Sequence, residues 1–199
     1  ELLGVDLISY EKSIQLAFDR IAQQEIVSSW TDALSSHTLE QGIGDLIPVP
    51  THGCFMDRRE LPVAQEELVL DRIWAIGGKQ GWYYANWLWG IRGFLDKLAG
   101  GVGLRRGRKS STEISAGDSL DFWRVLLADR KEKRLLLFAE MIRPGECWLE
   151  FRISDNILYE TGTFRPLGLR GRIYWYSVLP FHAFIFRGMI NRIVNPPKA

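Results

Sequence analysis

The feature that most constrains the fold is a long helical pattern near the C-terminal end of the sequence, over residues 168–194. Apolar residues recur there at i, i+3, i+4 and i+7, which is typical of a helix packing across a sheet. The predicted apolar face consists of Trp175, Val178, Leu179, His182, Ile185, Phe186, Met189 and Ile193. Pro180 predicts a kink, because proline removes one helical hydrogen bond. The uncharged stretch 173–186 has 14 residues, whereas a membrane-spanning helix needs about 20, so we predict a buried or interfacial helix.

Before this segment the hydrophobic period changes from helical to two. Four runs bounded by turn residues are predicted to be strands: 118–129, 133–141, 147–154 and 156–166. The third run alternates most clearly. One of its faces carries Cys147, Leu149, Phe151 and Ile153, and the other carries Trp148, Glu150 and Arg152. This alternation predicts an antiparallel sheet that is covered on one face.

The first half of the chain predicts helices around a single strand. Residues 9–24 form an amphipathic pattern, and residues 25–52 have the serine and proline content of a linker with at most a short helix. A strand is predicted over 53–61, followed by helices over 63–78 and 82–99 that both end at glycine pairs. This order of elements, with helices separate from an antiparallel meander, predicts an α+β fold.

Charge and cysteine content exclude several classes of protein. The 199 residues include 25 Lys+Arg and 24 Asp+Glu, a net charge of +1 that argues against a dedicated nucleic-acid binder. Cys54 and Cys147 stand apart, and His52 next to Cys54 falls short of the four ligands of a structural zinc site. We therefore predict no metal site. Two unpaired thiols are typical of a reducing compartment and predict a cytoplasmic location.

Three long strings carry a resemblance: GWYYANWLWGIRGFLDKLAGGVGLRRGRKSSTEISAGDSLDFWRV, CWLEFRI and TGTFRPLGLRGRIYWYSVLPFHAFIFRGMI. They resemble a bacterial domain of unknown function in the START-like, helix-grip (SRPBCC, polyketide cyclase-like) superfamily. Such domains usually follow an NAD(P)-binding, short-chain dehydrogenase-like domain in proteins labelled nucleoside-diphosphate-sugar epimerases. The resemblance covers residues 53–194, and the first 50 residues resemble the last helix and tail of the preceding NAD(P)-binding domain.

The resemblance implies a curved antiparallel sheet wrapped around a long C-terminal helix, with a cavity between them. It divides the chain into a helical tail of an upstream domain, residues 1–52, and a START-like ligand-binding domain, residues 53–199. The implied partners are a hydrophobic small molecule, lipid- or polyketide-like, and the upstream NAD(P)-binding domain of the same polypeptide.

The sequence itself carries no signature of a nucleotide cofactor. The dinucleotide fingerprint G-x-G-x-x-G is incomplete at Gly101 and Gly103, because Arg106 stands at its third glycine position. The Tyr-x-x-x-Lys pattern of short-chain dehydrogenases is absent too, since Ile14 follows Tyr10 at that spacing. We therefore expect no cofactor and no epimerase chemistry in these residues.

The candidate ligand-binding residues lie on the predicted helix and on the strands that face it. They are His182, Trp175, Tyr159, Leu179, Phe186 and Phe151. Two interpretations of His182 remain open: a core histidine with hydrogen-bonded ring nitrogens, or a polar group that faces a pocket. Arg105 and Arg106 are candidates for an anion contact at the cavity mouth, and the alternative is a solvated loop or edge strand.

Three functions remain open. The first is a non-catalytic module that binds a hydrophobic molecule for an attached oxidoreductase. The second is a cyclase- or dehydratase-type enzyme that uses His182 with Tyr159, Tyr176 or Glu150 as acid–base partners. The third is a structural domain that docks on the upstream domain through the aromatic stripe Trp82, Tyr83, Tyr84, Trp87 and Trp89, which a folded core could equally bury. Glu140 and Glu150 could form a carboxylate pair with acid–base roles, but the alternation of their strands favours outward, solvated positions.

Overall fold

A computed structural model describes residues 9–14, 46–78, 80–101, 103 and 113–196 of the chain. It contains six strands and three long helices outside the helical residues 10–14. In chain order the elements are β1 Phe55–Pro62, α1 Glu66–Trp74, α2 Asn86–Leu98, β2 Ser119–Leu120, β3 Trp123–Asp129, β4 Arg134–Ala139, β5 Gly145–Ser154, β6 Ile157–Pro166 and α3 Gly168–Val194.

The strands form one antiparallel sheet in the order β1-β6-β5-β4-β3-β2. Strands β2 to β6 follow one another as a meander, and β1 joins its far edge by pairing with β6. The hairpin between β5 and β6 turns at Asp155 and Asn156, whose φ angles of 53° and 57° are those of a tight two-residue turn. A register shift between Val125 and Leu127 marks a bulge on β3, and a bulge bends the strand that carries it.

Helix α3 lies across the concave face of this sheet, against β6 and β1. Its close approach depends on Gly162 of β6, because a Cβ there would lie 2.5 Å from Cε2 of Phe186. The C-terminal half of α3 supplies Ile185, Phe186, Met189, Ile190 and Ile193 to the main core. The architecture is the helix-grip α+β fold, which confirms the predicted fold class.

The predicted elements agree with the observed ones over most of the described chain. Four of the five strands after residue 115 correspond to the four predicted runs, and the two-residue strand β2 falls within the first run. Of the predicted helix 9–24, only residues 9–14 are described, and residues 10–14 are helical. The rest of that helix, most of the linker, and Arg105 and Arg106 lie outside the described residues. No described helix is both long enough and apolar enough to span a membrane.

The convex face of the sheet is covered at one end, which the alternation in β5 does not predict. Trp148 is buried there with Leu46, Phe138 and two further leucines. The indole Nε1 of Trp148 donates a hydrogen bond to the carbonyl oxygen of Leu46 at 2.9 Å. The covering residues come from a segment distant in sequence, so the pattern of β5 alone could not show them.

Glu140 was predicted to be solvated, and this prediction is wrong. The carboxylate of Glu140 is buried and accepts two hydrogen bonds from the guanidinium of Arg124, at 3.0 and 3.1 Å. Both side chains are inaccessible to solvent. A bidentate pair satisfies the charge that a buried carboxylate would otherwise leave unpaired, which is why this residue can lie inside. Glu150 is half-buried and pairs with Arg134 at 2.5 Å.

Candidate functional site

A cavity of about 240 Å³ lies between α2, α3 and the concave face of the sheet. Three parts of the chain line it, and nearly all of their side chains are apolar. Helix α2 contributes Leu88, Trp89, Ile91, Arg92 and Leu95. The strands and the β4–β5 loop contribute Trp123, Met141, Arg143, Cys147, Gly162 and Phe164. Helix α3 contributes Tyr174, Trp175, Val178, Phe181, His182, Ile185 and Phe186.

Stacked aromatic rings form the wall of the cavity at the N-terminal half of α3. Trp175 stacks on Phe164 of β6, with ring centroids 5.8 Å apart, and also on Phe55 of β1 at 5.4 Å. The ring of His182 meets Trp175 edge-on at 5.3 Å and stacks on Phe186 at 5.2 Å. These contacts fix the orientation of flat apolar surfaces that can hold another ring.

The opening of the cavity lies between the two helices. Three lining residues are about half-exposed: Ile91 and Leu95 on α2 at 49% and 52%, and Phe181 on α3 at 55%. Residues that both line a cavity and reach solvent mark its mouth. A molecule would therefore enter between α2 and α3 rather than through the sheet.

His182 lies within the apolar wall, and its Nδ1 is buried without a hydrogen-bond partner among the described residues. This contradicts the interpretation in which both ring nitrogens of a core histidine are hydrogen-bonded. Burial lowers the pKa of His182, an effect that the carboxylate of Asp57 partly opposes. The imidazole is therefore neutral at pH 7 and adds no charge to the cavity.

Two arginines and a cysteine lie at the end of the cavity next to the β4–β5 loop. Arg143 donates from Nη1 to the carbonyl oxygen of Met141 at 2.8 Å, and Arg92 donates from Nη2 to that of Ile142 at 3.2 Å. Burial raises the pKa of the Cys147 thiol, while Arg143 and Arg92 both lower it. Burial also lowers the pKa of Arg143, and the repulsion from Arg92 acts in the same direction. The guanidiniums of Arg92 and Arg143 are therefore both close enough to the Cys147 thiol to affect its pKa.

Asp96 holds this end of the cavity together. Its carboxylate is buried and accepts the backbone N–H of Ile142 at 2.7 Å and that of Gly103 at 2.9 Å. The first bond joins helix α2 directly to the β4–β5 loop. The helix that carries Arg92 and the loop that carries Arg143 are therefore fixed relative to each other.

A second ionisable cluster lies on the concave face beside the cavity. Glu160 of β6 is fully buried, and neither of its carboxylate oxygens has a hydrogen-bond partner among the described residues. It pairs in register with Arg59 of β1, which forms an ion pair with Asp57 at 2.8 Å. Burial and then the charge of Asp57 raise the pKa of Glu160 well above its ordinary value, against the influence of Arg59. Glu160 does not line the cavity.

Three of the six predicted ligand-binding residues, Trp175, His182 and Phe186, line the cavity, and three do not. Tyr159 lies on the convex side, because Leu158 and Glu160 are the inward residues of β6, and its ring stacks under Arg58 at 4.4 Å. Phe151 faces inward but is enclosed in the packed core. Leu179 is 36% exposed on α3, one position beyond the inward Val178.

The structure does not assemble the predicted acid–base group around His182. Tyr159 and Glu150 lie on the other face of the sheet, and Tyr176 is 63% exposed on α3. Among the described residues, no group of three or more His, Cys, Asp or Glu is placed to hold a metal ion. Among the described residues, the site is an apolar cavity with two arginines at one end, and none of the three predicted partners of His182 lines it.

The sequence reasoning missed Arg92, Arg143 and Cys147 as parts of this site. Arg92 is the one charged residue in the otherwise apolar stretch 87–94. A single charge in an apolar stretch could have indicated a residue of a binding site. Arg143 precedes the turn at Pro144 and Gly145, and an arginine next to a turn does not by itself indicate a binding site. Nothing in the local pattern indicates that this turn folds back onto α2.

The aromatic stripe before and within α2 is divided between core and surface. Trp82 and Trp89 are buried and stack at 4.9 Å, and Nε1 of Trp82 donates to Asp121 at 2.7 Å. Tyr83 and Tyr84 are half-buried, whereas Trp87 is 64% exposed. Most of the stripe therefore holds α2 in place, and one tryptophan remains on the surface.

The family model described as a protein of unknown function (DUF2867) matches residues 52–189. No curated protein sequence matches the chain. Among the solved structures that are similar is norcoclaurine synthase from Thalictrum flavum, in complex with dopamine and hydroxybenzaldehyde. That similarity has a TM-score of 0.39 and 11% identity, and it covers 73% of this chain and 89% of the other.

Proposed function

The chain belongs to the DUF2867 family of proteins of unknown function, and we propose that its residues 53–199 bind a hydrophobic small molecule without catalysing a reaction. The observation that carries this proposal is the cavity of about 240 Å³ between α2, α3 and the sheet. A cavity with mostly apolar walls and a few polar groups at one end is the usual form of a small-molecule site.

The size of the cavity limits the ligand. An engineered apolar cavity of about 150 Å³ binds benzene, while drug-sized ligands occupy about 300–1,000 Å³. The present volume of about 240 Å³ lies between them. The proposed ligand is therefore a compact molecule of one or two rings, or a short branched chain, and not a sterol or a long acyl chain.

The non-catalytic part of the proposal is supported by the surroundings of His182. General acid–base chemistry requires two groups within hydrogen-bond reach of one substrate. Neither Tyr159, Tyr176 nor Glu150 lines the cavity with His182. A neutral imidazole packed between Trp175 and Phe186 suits a binding wall better than a proton relay.

The module is further proposed to serve an NAD(P)-binding domain of the same polypeptide, of the nucleoside-diphosphate-sugar epimerase type. The support for this part is the sequence resemblance of residues 53–194 and of the first 50 residues. In this arrangement the upstream domain carries any redox or epimerase chemistry, and residues 53–199 hold a hydrophobic molecule.

Calorimetric titration with 2-naphthamide, a neutral two-ring probe, tests the binding function. Val178 lines the cavity, so we expect the larger side chain in Val178→Trp to fill it. Binding of the probe should then weaken by about tenfold or more, which corresponds to about 1.4 kcal/mol or more. Leu179→Trp is the matched control, because the neighbouring Leu179 does not line the cavity. Circular dichroism checks that both variants fold. Equal binding by the two variants would place the probe elsewhere and contradict the proposal.

A second candidate function is docking on the upstream domain, and one surface of α2 favours it. Trp87, Ile91, Phe94 and Leu98 recur at i, i+4, i+7 and i+11 and are 64%, 49%, 63% and 69% exposed. A row of large apolar side chains on one helix face is typical of an interaction surface. In a polypeptide that includes the upstream domain, Phe94→Lys would then expose the linker to limited proteolysis, whereas Val178→Trp would not.

A further inference from the structure

We propose that the molecule bound in the cavity is a small apolar acid whose anionic group lies against Arg92 and Arg143. This assignment rests on the proposed binding function and adds to it the chemical class of the ligand. The shared chemistry is a compact hydrophobic body that carries one carboxylate or a similar anion.

The first reason is the sign of the charges around the cavity. Among the described lining residues the two ionised side chains are Arg92 and Arg143, and neither an aspartate nor a glutamate is present. His182 is neutral, as its burial indicates. The cavity therefore has a cationic end with no negative charge of its own, and an anionic ligand complements it.

The second reason is that neither of these two arginines has a carboxylate partner, unlike three arginines of the sheet. Arg124 is paired with Glu140, Arg134 with Glu150 and Arg165 with Glu146. Arg92 and Arg143 form no ion pair with a described residue. Their hydrogen bonds go only to the backbone carbonyls of Ile142 and Met141.

The third reason is that the guanidinium of Arg143 is partly enclosed with unused donors. Its Nε is buried without a hydrogen-bond partner among the described residues, and its cationic carbon lies 5.2 Å from the centre of the Phe138 ring. A guanidinium carries five N–H donors, and a buried cation without a counter-charge is unfavourable. An anion at this end of the cavity would supply the counter-charge.

The neighbouring groups supply only part of that counter-charge. The groups that face Arg143 are Cys147, Tyr174, Glu146 and Arg92. Burial raises the pKa of Cys147, so its thiol is protonated near neutral pH. The charge of Glu146 raises the pKa of Arg143, but its carboxylate forms an ion pair with Arg165 and does not line the cavity. Within the described lining of the cavity, the two arginines therefore face no carboxylate.

Binding of two matched probes to the unmodified protein tests this assignment. The probes are 2-naphthoate and 2-naphthamide, which share one ring system and differ in charge. A hydrogen-bonded charge contributes about 1.5–3 kcal/mol, so we expect naphthoate to bind about 10- to 100-fold more tightly. Higher salt should weaken naphthoate binding more than naphthamide binding.

Substitutions of the two arginines test whether they cause the preference for naphthoate over naphthamide. Arg143→Met and Arg92→Met, which remove the charge and keep an unbranched apolar stem, should each reduce the naphthoate preference, and Arg143→Lys should retain part of it. Arg187→Met is the control, because Arg187 is exposed on α3 and does not line the cavity. The comparison of probes in the unmodified protein stands even where a variant does not fold.

The outcomes separate this assignment from the function on which it rests. Equal affinity for the two probes would overturn the acidic ligand and leave the binding function intact. Absence of binding by both probes would overturn both. A naphthoate preference that persists in Arg92→Met and Arg143→Met would show that the anion binds elsewhere, and so would also overturn the assignment.

Discussion

The two halves of α3 differ in what they cover. In the C-terminal half, Ile185, Phe186, Met189, Ile190 and Ile193 are all buried against the sheet. In the N-terminal half, Ile173, Tyr176 and Phe181 are more than half exposed, and the buried residues are Gly171 and Trp175. One continuous helix thus fills the core at one end and roofs a cavity at the other. Stability and ligand binding can therefore be changed separately along it.

The largest expected effect comes from removing a side chain in the packed half. Met189 is inaccessible to solvent, so Met189→Ala leaves a void that the surrounding residues cannot fully close. We expect the free energy of unfolding to fall by about 2–5 kcal/mol. Urea unfolding followed by tryptophan fluorescence measures this fall. A loss below about 0.5 kcal/mol, the usual range of surface changes, would mean that this half is not packed as described.

The next effect tests the boundary between the two halves. Gly162→Ala places a methyl group 2.5 Å from the Phe186 ring, which must shift because the β6 backbone is fixed by pairing on both sides. Overpacking of this kind typically costs about 1–3 kcal/mol. Since Gly162 and Phe186 both line the cavity, probe binding should weaken together with stability. If stability fell while probe affinity stayed the same, Phe186 would not link the core to the cavity, and this prediction would be wrong.

A pH-dependent effect should come from Glu160, beneath the packed half. The pKa of this carboxyl is raised in the folded protein, so the folded state holds its proton at pH values where the unfolded chain has lost it. Its contribution to stability is complete below the unfolded pKa and is lost as pH rises towards the folded pKa. We expect Glu160→Gln to remove this loss, so that unfolding curves at acidic and neutral pH differ less than in the unmodified protein.

The control for the Glu160 prediction is Glu60→Gln on β1, since Glu60 is exposed. An identical pH dependence in Glu160→Gln and in the unmodified protein would contradict a raised pKa. Asp57 and Arg59 face the same carboxyl and should be kept unchanged in this comparison.

The smallest expected effect lies in the roof of the cavity. Ile173 is 62% exposed and does not line the cavity, so Ile173→Gln should change the free energy of unfolding by no more than about 0.5 kcal/mol. Probe affinity should also stay the same. A loss above about 1 kcal/mol would show that the N-terminal half of α3 carries more of the stability than its exposure indicates.

The fold could be predicted from sequence because its signals are local and regular. The strands alternate with period two, and α3 repeats its apolar residues with a helical period over 27 residues. The exceptions involve contacts between distant segments. Trp148 is covered by Leu46, and Glu140 is paired with Arg124, and neither contact leaves a trace in the pattern of its own strand.

The site could be predicted only in part. The helical repeat placed Trp175, His182 and Phe186 on the inward face, where they line the cavity. The prediction of Tyr159 on β6 was wrong, because the inward positions of that strand include Glu160 and Gly162, and Tyr159 lies on the convex side. The arginines of the cavity come from α2 and from the loop before β5, and only the folded arrangement brings those two segments together.

The hydrogen bonds accepted by Asp96 limit how the ligand preference of this protein can change. Because one carboxylate ties Ile142 to α2, Arg92 and Arg143 keep the same spacing whatever occupies the space between them. On the opposite wall, Phe181 of α3 is 55% exposed and can be replaced with little loss of stability. Relatives that share Asp96 should therefore bind ligands whose apolar parts differ in shape but which all carry an anionic group next to the two arginines.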